Sequence, residues 1–207
     1  MDHKTTLRKT AIYVHGLASG AYSLSFKKMT ERFPQFIWGF AEFGEDLAEN
    51  VERLNRLIAQ MKPSLIVGTS MGGLTVLYAD APDAVKIVHN PALSIADCVR
   101  NTIGLGEHPY KCRRLDGKTS FVLTEAMCQA YESYIASHKI KLGRENYAIF
   151  SLEDELLGDD ASTQAHNTLT TAGFIARIDP EGLHSLTPST FEMIAQCLAA
   201  DCNVTEK

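Results

Sequence analysis

No stretch of this 207-residue chain approaches the ~18–20 consecutive apolar residues that a membrane-spanning helix needs. The opening MDHKTTLRKT lacks the apolar core of a secretory signal, so a cytoplasmic location is expected. Basic residues are in deficit: 20 Lys and Arg against 25 Asp and Glu leave a formal charge of −5. A general nucleic-acid binder needs the opposite balance, so no nucleic-acid partner is expected. The five cysteines, Cys98, Cys112, Cys128, Cys197 and Cys202, are odd in number and never spaced as C-x-x-C. That speaks against both a disulfide framework and a zinc site. Repeats and low-complexity tracts are missing as well. What remains, with 45% hydrophobic and 22% charged residues, has the composition of a soluble globular protein. Its length suits a single domain over residues 1–207.

What the chain does contain is alternation. Ala11 to Val14, Phe36 to Phe40, Leu65 to Val67, Val85 to Val88, Tyr147 to Leu152 and Phe174 to Ile178 are short apolar, β-rich runs. Helical patterns lie between most of them: Ser23 to Arg32, Glu45 to Met61, Gly72 to Ala79 and a stretch near Ser162 to Thr171. In the second, Leu47, Val51, Leu54, Leu57, Ile58 and Met61 recur at spacings of three and four, giving one apolar stripe. A last helix is expected to start at Thr187-Pro188, a hydroxyl cap followed by proline at the first helical position. Such order predicts an α/β fold, a mostly parallel sheet of about six strands covered by helices on both faces. Residues 91–144 break the rhythm, with helical segments and a cationic turn, KCRRLDGK, but no strong buried strand. They are expected to form a mainly helical lid inserted into the domain.

The sharpest chemical feature is VGTSMGG, Val67 to Gly73, a G-x-S-x-G pattern that follows a strand and opens a helix. A serine on so tight a turn projects its hydroxyl, and small residues at ±2 let the backbone pass its neighbours. Ser70 is therefore the candidate nucleophile, and the Met71 amide, at the helix start, a candidate oxyanion donor. Serine needs a base and a group to orient that base. Of seven histidines only His184, in DPEGLHSL, follows the last expected strand. The preceding strand ends in LEDELLGDD, which offers Glu153, Asp154, Glu155, Asp159 and Asp160. Asp154, two residues past Leu152, is the preferred acid, with Asp159 or Asp160 as substitutes. His15 ends the first strand, where it is expected to shape the oxyanion loop; His15 and Gly16 are expected to border the substrate, with the Leu17 amide as second oxyanion donor.

YVHGLASG, VGTSMGG, the acidic turn after Phe150 and GLHSL together resemble the α/β-hydrolase superfamily. More narrowly, HNPAL (His89 to Leu93), GLGEHPY (Gly104 to Tyr110) and EDELLGD resemble the small bacterial YqiA-type esterases. The resemblance implies Ser70 as nucleophile, Asp154 as acid and His184 as base, acting on carboxylic esters or thioesters of modest size. Two departures bear on the substrate. WGFAEFGEDL stands where such esterases carry a proline-rich stretch, and Leu183 stands where an aspartate usually precedes the histidine.

The expected activity is that of a cytoplasmic serine hydrolase needing no metal or organic cofactor, its partner a small acyl ester or thioester. Acyl transfer by the same residues is one alternative, and ligand capture without turnover another. The cations Lys111, Arg113, Arg114 and Lys118 suggest an anionic substrate such as an acyl-CoA.

Overall fold

The computed structural model of the chain describes residues 9–204. Six parallel strands form its central sheet: β1 (Lys9–Val14), β2 (Phe36–Gly39), β3 (Leu65–Thr69), β4 (Val85–His89), β7 (Glu145–Ser151) and β8 (Ile175–Asp179). The order across the sheet is β2-β1-β3-β4-β7-β8. The chain goes outward from β1 to β2, returns past β1 to β3 and then builds the other way. The reversal leaves a crevice at the carboxyl ends of β1 and β3, where open α/β sheets bind their ligands.

Alternation along each strand sorts the core into two layers. Ala11, Tyr13, Leu65, Val67, Val85, Ile87, Tyr147 and Ile149 face one side, packed with Met29 of α1 (Leu24–Arg32), its C-cap Phe33, and Phe191 and Ile194 of α7 (Pro188–Val204). Ile12, Val14, Ile66, Val88, Ala148 and Phe150 face the other. They meet α2 (Leu47–Met61), α3 (Met71–Tyr78), α5 (Glu125–Ser137) and α6 (Gly158–Ala172). Each fully buried aliphatic side chain contributes about 1.5–3 kcal/mol. Caps set the helix starts: Ser23 Oγ accepts from the Phe26 amide, Asp46 Oδ1 from the Glu49 amide and Thr187 Oγ1 from the Thr190 amide. The helix expected near Ser162 starts earlier, at Gly158, and so takes Asp159 and Asp160 into its first turn.

One charged side chain lies within the apolar layers. Lys86, fully buried on β4, donates through Nζ to the carbonyls of Val76 (3.1 Å), Ala79 (2.6 Å) and Lys141 (2.7 Å). The last carbonyls of α3 are short of intrahelical donors, Val76 having only the Ala79 amide at 3.3 Å, and the ammonium supplies further ones.

Residues 91–144 are less purely helical than expected. A short helix α4 (Ile95–Cys98) runs into a π-helical turn, Val99–Ile103. An antiparallel hairpin follows, of β5 (Gly106–Pro109) and β6 (Ser120–Leu123), and only then α5. The hairpin escaped the sequence reading because Gly-Glu-His-Pro has no apolar run and half its side chains face solvent. α5 packs against α4 and α2, with Tyr134 edge-on to Tyr78 of α3, and the chain beyond it re-enters near Ala84, where the Arg144 amide donates to the Ala84 carbonyl. It serves as the crossover helix that two parallel strands require. The excursion above the sheet is thus shorter than expected and ends at α5. Among the described residues no helix is long and apolar enough to cross a membrane.

Candidate active site

Ser70 follows β3 directly, at φ 53° and ψ −121°. A non-glycine residue in that region stores ~1–3 kcal/mol of strain and persists only where its surroundings impose it. Here the Ser70 amide donates to the His89 carbonyl (2.9 Å), and the Ser70 carbonyl accepts from Leu74 (2.9 Å) and Ala92 (3.2 Å). The glycines of the motif are steric necessities. A Cβ on Gly72 would overlap the Val14 and His15 carbonyls, and one on Gly68 would strike the Gly72 carbonyl. Met71 is the first residue of α3, so its N–H has no intrahelical acceptor.

The loop after β1 lies against this elbow. A Cβ on Gly16 would come within 3.2 Å of Ser70 Cβ. Leu17 borders the same cavity as Ser70, and among the described residues nothing accepts from its amide. His15 holds this loop, in line with its expected part there, and does not border the cavity, although that was also expected. Its ring is buried beneath the loop, outside the cavity lining, while Gly16 is part of that lining. Nδ1 donates to the Gly16 carbonyl (2.8 Å) and Nε2 accepts from the Phe43 amide (3.1 Å). Phe40 stacks on the ring and Phe43 meets it edge-on. WGFAEFGEDL therefore supports the loop from below and contributes nothing to the cavity wall, and Leu183 also lies outside that wall.

His184 sits between β8 and α7, its Nδ1 2.9 Å from Asp154 Oδ1 and 3.0 Å from Oδ2. Asp154 is buried and also accepts from the amides of Leu156 and Leu157, both at 2.9 Å. Burial, the largest influence, pushes its carboxyl upward. The His184 hydrogen bond and charge and the two amides together outweigh it and hold the pKa below the usual aspartate value. The other four acids of the turn are exposed, with Asp159 and Asp160 on α6. Of the five, Asp154 is the one brought to His184 as a ring partner.

Three supports were not read from the sequence, where Glu155 stood only as one of five candidate acids. Glu155 accepts the His184 backbone N–H at 2.9 Å. Asp179, fully buried at the end of β8, accepts from Ser189 and Thr190 hydroxyls and so fixes the start of α7 beyond the histidine loop. Asn90, just after β4, reaches that loop from the other side. Nothing in their local sequence marks these parts: Glu155 and Asn90 reach a loop 29 and 93 residues further on, and Asp179 acts on the start of α7.

Ser70 and His184 open into one cavity of about 340 Å³, within the range of small-molecule sites. Ile95, Cys98, Ile103, Pro109 and Phe121 of the excursion give it an apolar wall, continued by Leu156, Leu157 and Leu186. Lys111 is the only Lys or Arg of the lining, which includes no carboxylate. The four-cation patch does not assemble there. Arg113 lies over the Tyr22 ring (5.5 Å), and Lys118 is outside the lining. Arg114, 4% exposed, is an internal tie. It donates to the Ser19 (2.8 Å) and Phe43 (2.9 Å) carbonyls, pairs with Asp116 and Glu42, and covers the Tyr110 ring. Among the described residues no three His, Cys, Asp or Glu side chains converge as metal ligands.

Solved structures share this architecture. Alpha/beta hydrolase domain-containing protein 10 from mouse superposes with a TM-score of 0.66 at 13% identity, covering 100% of this chain and 93% of its own. A monoacylglycerol lipase from Paleococcus ferrophilus gives 0.59 at 15% identity, covering 91% of each chain. The esterase domain of a Rhodothermus marinus protein gives 0.60 at 13% identity, covering 97% of this chain and 88% of that one. No curated protein matches the sequence significantly. The model of an uncharacterised protein family, UPF0227, matches residues 10–185, and the chain belongs to that family, on an α/β-hydrolase fold.

Proposed function

We propose that this protein is a serine hydrolase that cleaves a small carboxylic ester or thioester through an acyl-enzyme on Ser70. The observation that carries the reading is one cavity shared by a serine on a strained strand-to-helix turn and a histidine whose far nitrogen is bonded to a buried, ionised aspartate. In this reading Ser70 Oγ attacks the carbonyl while His184 Nε2 takes its proton. Asp154 keeps the other nitrogen protonated and stabilises the imidazolium. The amides of Leu17 and Met71 receive the developing oxyanion, an effect worth about 3–4 kcal/mol per donor. His184 then protonates the departing alcohol or thiol and activates the water that releases the acid.

The excursion between β4 and α5 acts as the lid, and its apolar wall takes the acyl group. Structural likeness to an esterase domain and a monoacylglycerol lipase supports an ester as the substrate class. The test is labelling with a fluorophosphonate, together with a panel of esters and thioesters of graded acyl length. The wild-type chain should label and turn over a subset of the panel. Ser70→Ala should do neither, with its melting temperature kept. A wild-type chain that neither labels nor hydrolyses any member would overturn the reading in favour of ligand capture.

A further inference from the structure

The peptide bond between Leu183 and His184 is held at both ends. Glu155 Oε2 accepts its N–H, and its carbonyl accepts from Asn90 Nδ2 at 3.1 Å. Asn90 is buried, 2% exposed, and adopts the left-handed conformation at φ 42°, which asparagine tolerates better than most residues. Its side chain is fully used. Nδ2 also donates to Ser151 Oγ (3.1 Å), and Oδ1 accepts from the Ser151 amide (2.8 Å). Its own amide donates to the Ile149 carbonyl (3.0 Å). The residues on either side hold the serine elbow: His89 through the carbonyl that receives the Ser70 amide, Ala92 through the amide that reaches the Ser70 carbonyl. His89 also bonds Ser151 Oγ through Nε2 (3.0 Å).

The geometry points to Asn90 as a positioning residue that sets the distance between His184 and Ser70. This rests on the proposed function only in assigning Ser70 and His184 their parts. His89 and Ala92 grip the nucleophile turn by backbone, and the Asn90 side chain between them grips the histidine loop and the end of the strand that leads to Asp154. One bracket thus sets both catalytic partners against a single reference. Without it the ring keeps its bond to Asp154 but loses its fixed height over the serine. Displacement of about 1 Å in such a pair costs roughly 10²-fold in rate.

The test compares Asn90→Gly with Ser151→Ala. Glycine accepts the left-handed φ and removes every side-chain bond. Ser151→Ala keeps the Leu183 contact and the Ser151 amide bond while removing other parts of the same buried network. Both variants should melt lower than the wild type. Asn90→Gly should lose roughly 10²-fold in kcat and in labelling rate at nearly constant KM. Ser151→Ala should keep kcat within a few-fold. Parallel losses in the two, or unchanged kcat in Asn90→Gly, would overturn the inference by reducing Asn90 to a stabilising group. Should Asn90→Gly not fold, Asn90→Asp keeps the acceptor for the Ser151 amide and removes the donor to Leu183, so the same split is expected of it. The low-field proton of the His184–Asp154 bond gives a readout independent of turnover. Its resonance should broaden or shift in the Asn90 variant and stay in Ser151→Ala. If the wild-type chain fails to label, the functional reading falls, and that resonance still decides whether Asn90 places His184.

Discussion

Gly16 and Ser70 stand so close that a methyl group on the glycine would sit 3.2 Å from Ser70 Cβ and 3.3 Å from the Thr69 carbonyl. Neither neighbour can yield easily, because both belong to the elbow at the end of β3. Gly16→Ala is therefore expected to shift the β1 loop by a few tenths of an ångström, moving the Leu17 amide off the oxyanion position. Ester kcat should fall by about 10-fold or more, with the melting temperature shifted by only a few degrees. Unchanged kcat would show that the loop adapts.

The acidic turn makes a sharper comparison possible. Asp154→Asn keeps the shape of the group and its amide bonds but favours the wrong imidazole tautomer, so kcat should fall by up to ~10⁴-fold. Asp159→Asn and Asp160→Asn remove exposed charge from the first turn of α6, with activity kept and at most about 1 kcal/mol of stability lost. Steady-state kinetics and thermal melts on the three variants check both halves. A rate loss in either α6 variant would move the acid down the turn.

Folding stability should respond to acid in two windows that meet at about pH 4 to 3. His89 is fully buried, and burial, reinforced by the nearby His184, lowers its pKa to about 3, against the opposing effect of Asp154 and Asp179. Between that value and the ordinary ~6.5 the unfolded chain binds the proton and the folded chain does not, so stability falls as pH drops through this range. The slope is at most about 1.4 kcal/mol per pH unit. Asp154, Glu42 and Asp116 have lowered pKa values, so their contribution is present above about pH 4 and lost below it. Denaturant melts from pH 7 to 3 should show both phases, and His89→Leu should flatten the first alone.

Arg114 and Lys111 should separate structure from specificity. Arg114→Met leaves Glu42 buried without its guanidinium, which costs about 3–5 kcal/mol and lowers the melting temperature. Lys111→Met changes an exposed residue of the cavity lining, so the melt should stay put. KM should rise several-fold for an acyl-CoA thioester and hold for a neutral ester of the same chain. Equal KM values for both substrates would remove Lys111 from substrate selection.

The candidate site was legible because its signals are local. G-x-S-x-G needs only the strand before it and the helix after it, and His184 and Asp154 follow from where successive strands end. The supports were not legible, because they are made across the sheet. Asn90 and Ser151 become neighbours only once β4 and β7 pair, with His89 opposite Ile149. Arg114 reads as one cation of a solvated turn until the fold brings Glu42 to it. Lys86, between Val85 and Ile87, gives no hint that its ammonium will find three carbonyls inside the core. His15 closes the loop from beneath through Phe43, 28 residues away, which is why its absence from the cavity wall was not legible either.

The stretch from Pro91 to Thr124 leaves the tip of β4 and rejoins the fold at the start of α5, so the sheet fixes where it begins and ends but not what lies between. Lengthening such a loop is inexpensive, about 0.6 kcal/mol for each doubling. Its residues supply much of the cavity wall, whereas Ser70, Asp154 and His184 all stand outside it. Descendants of this chain are thus free to exchange the wall wholesale and, on the proposed function, to trade one acyl group for another, while Ser70, Asp154 and His184 keep their places. Diversification within the family should accordingly be concentrated in these residues, and chimaeras that transplant them should transfer substrate preference without transferring the catalytic machinery.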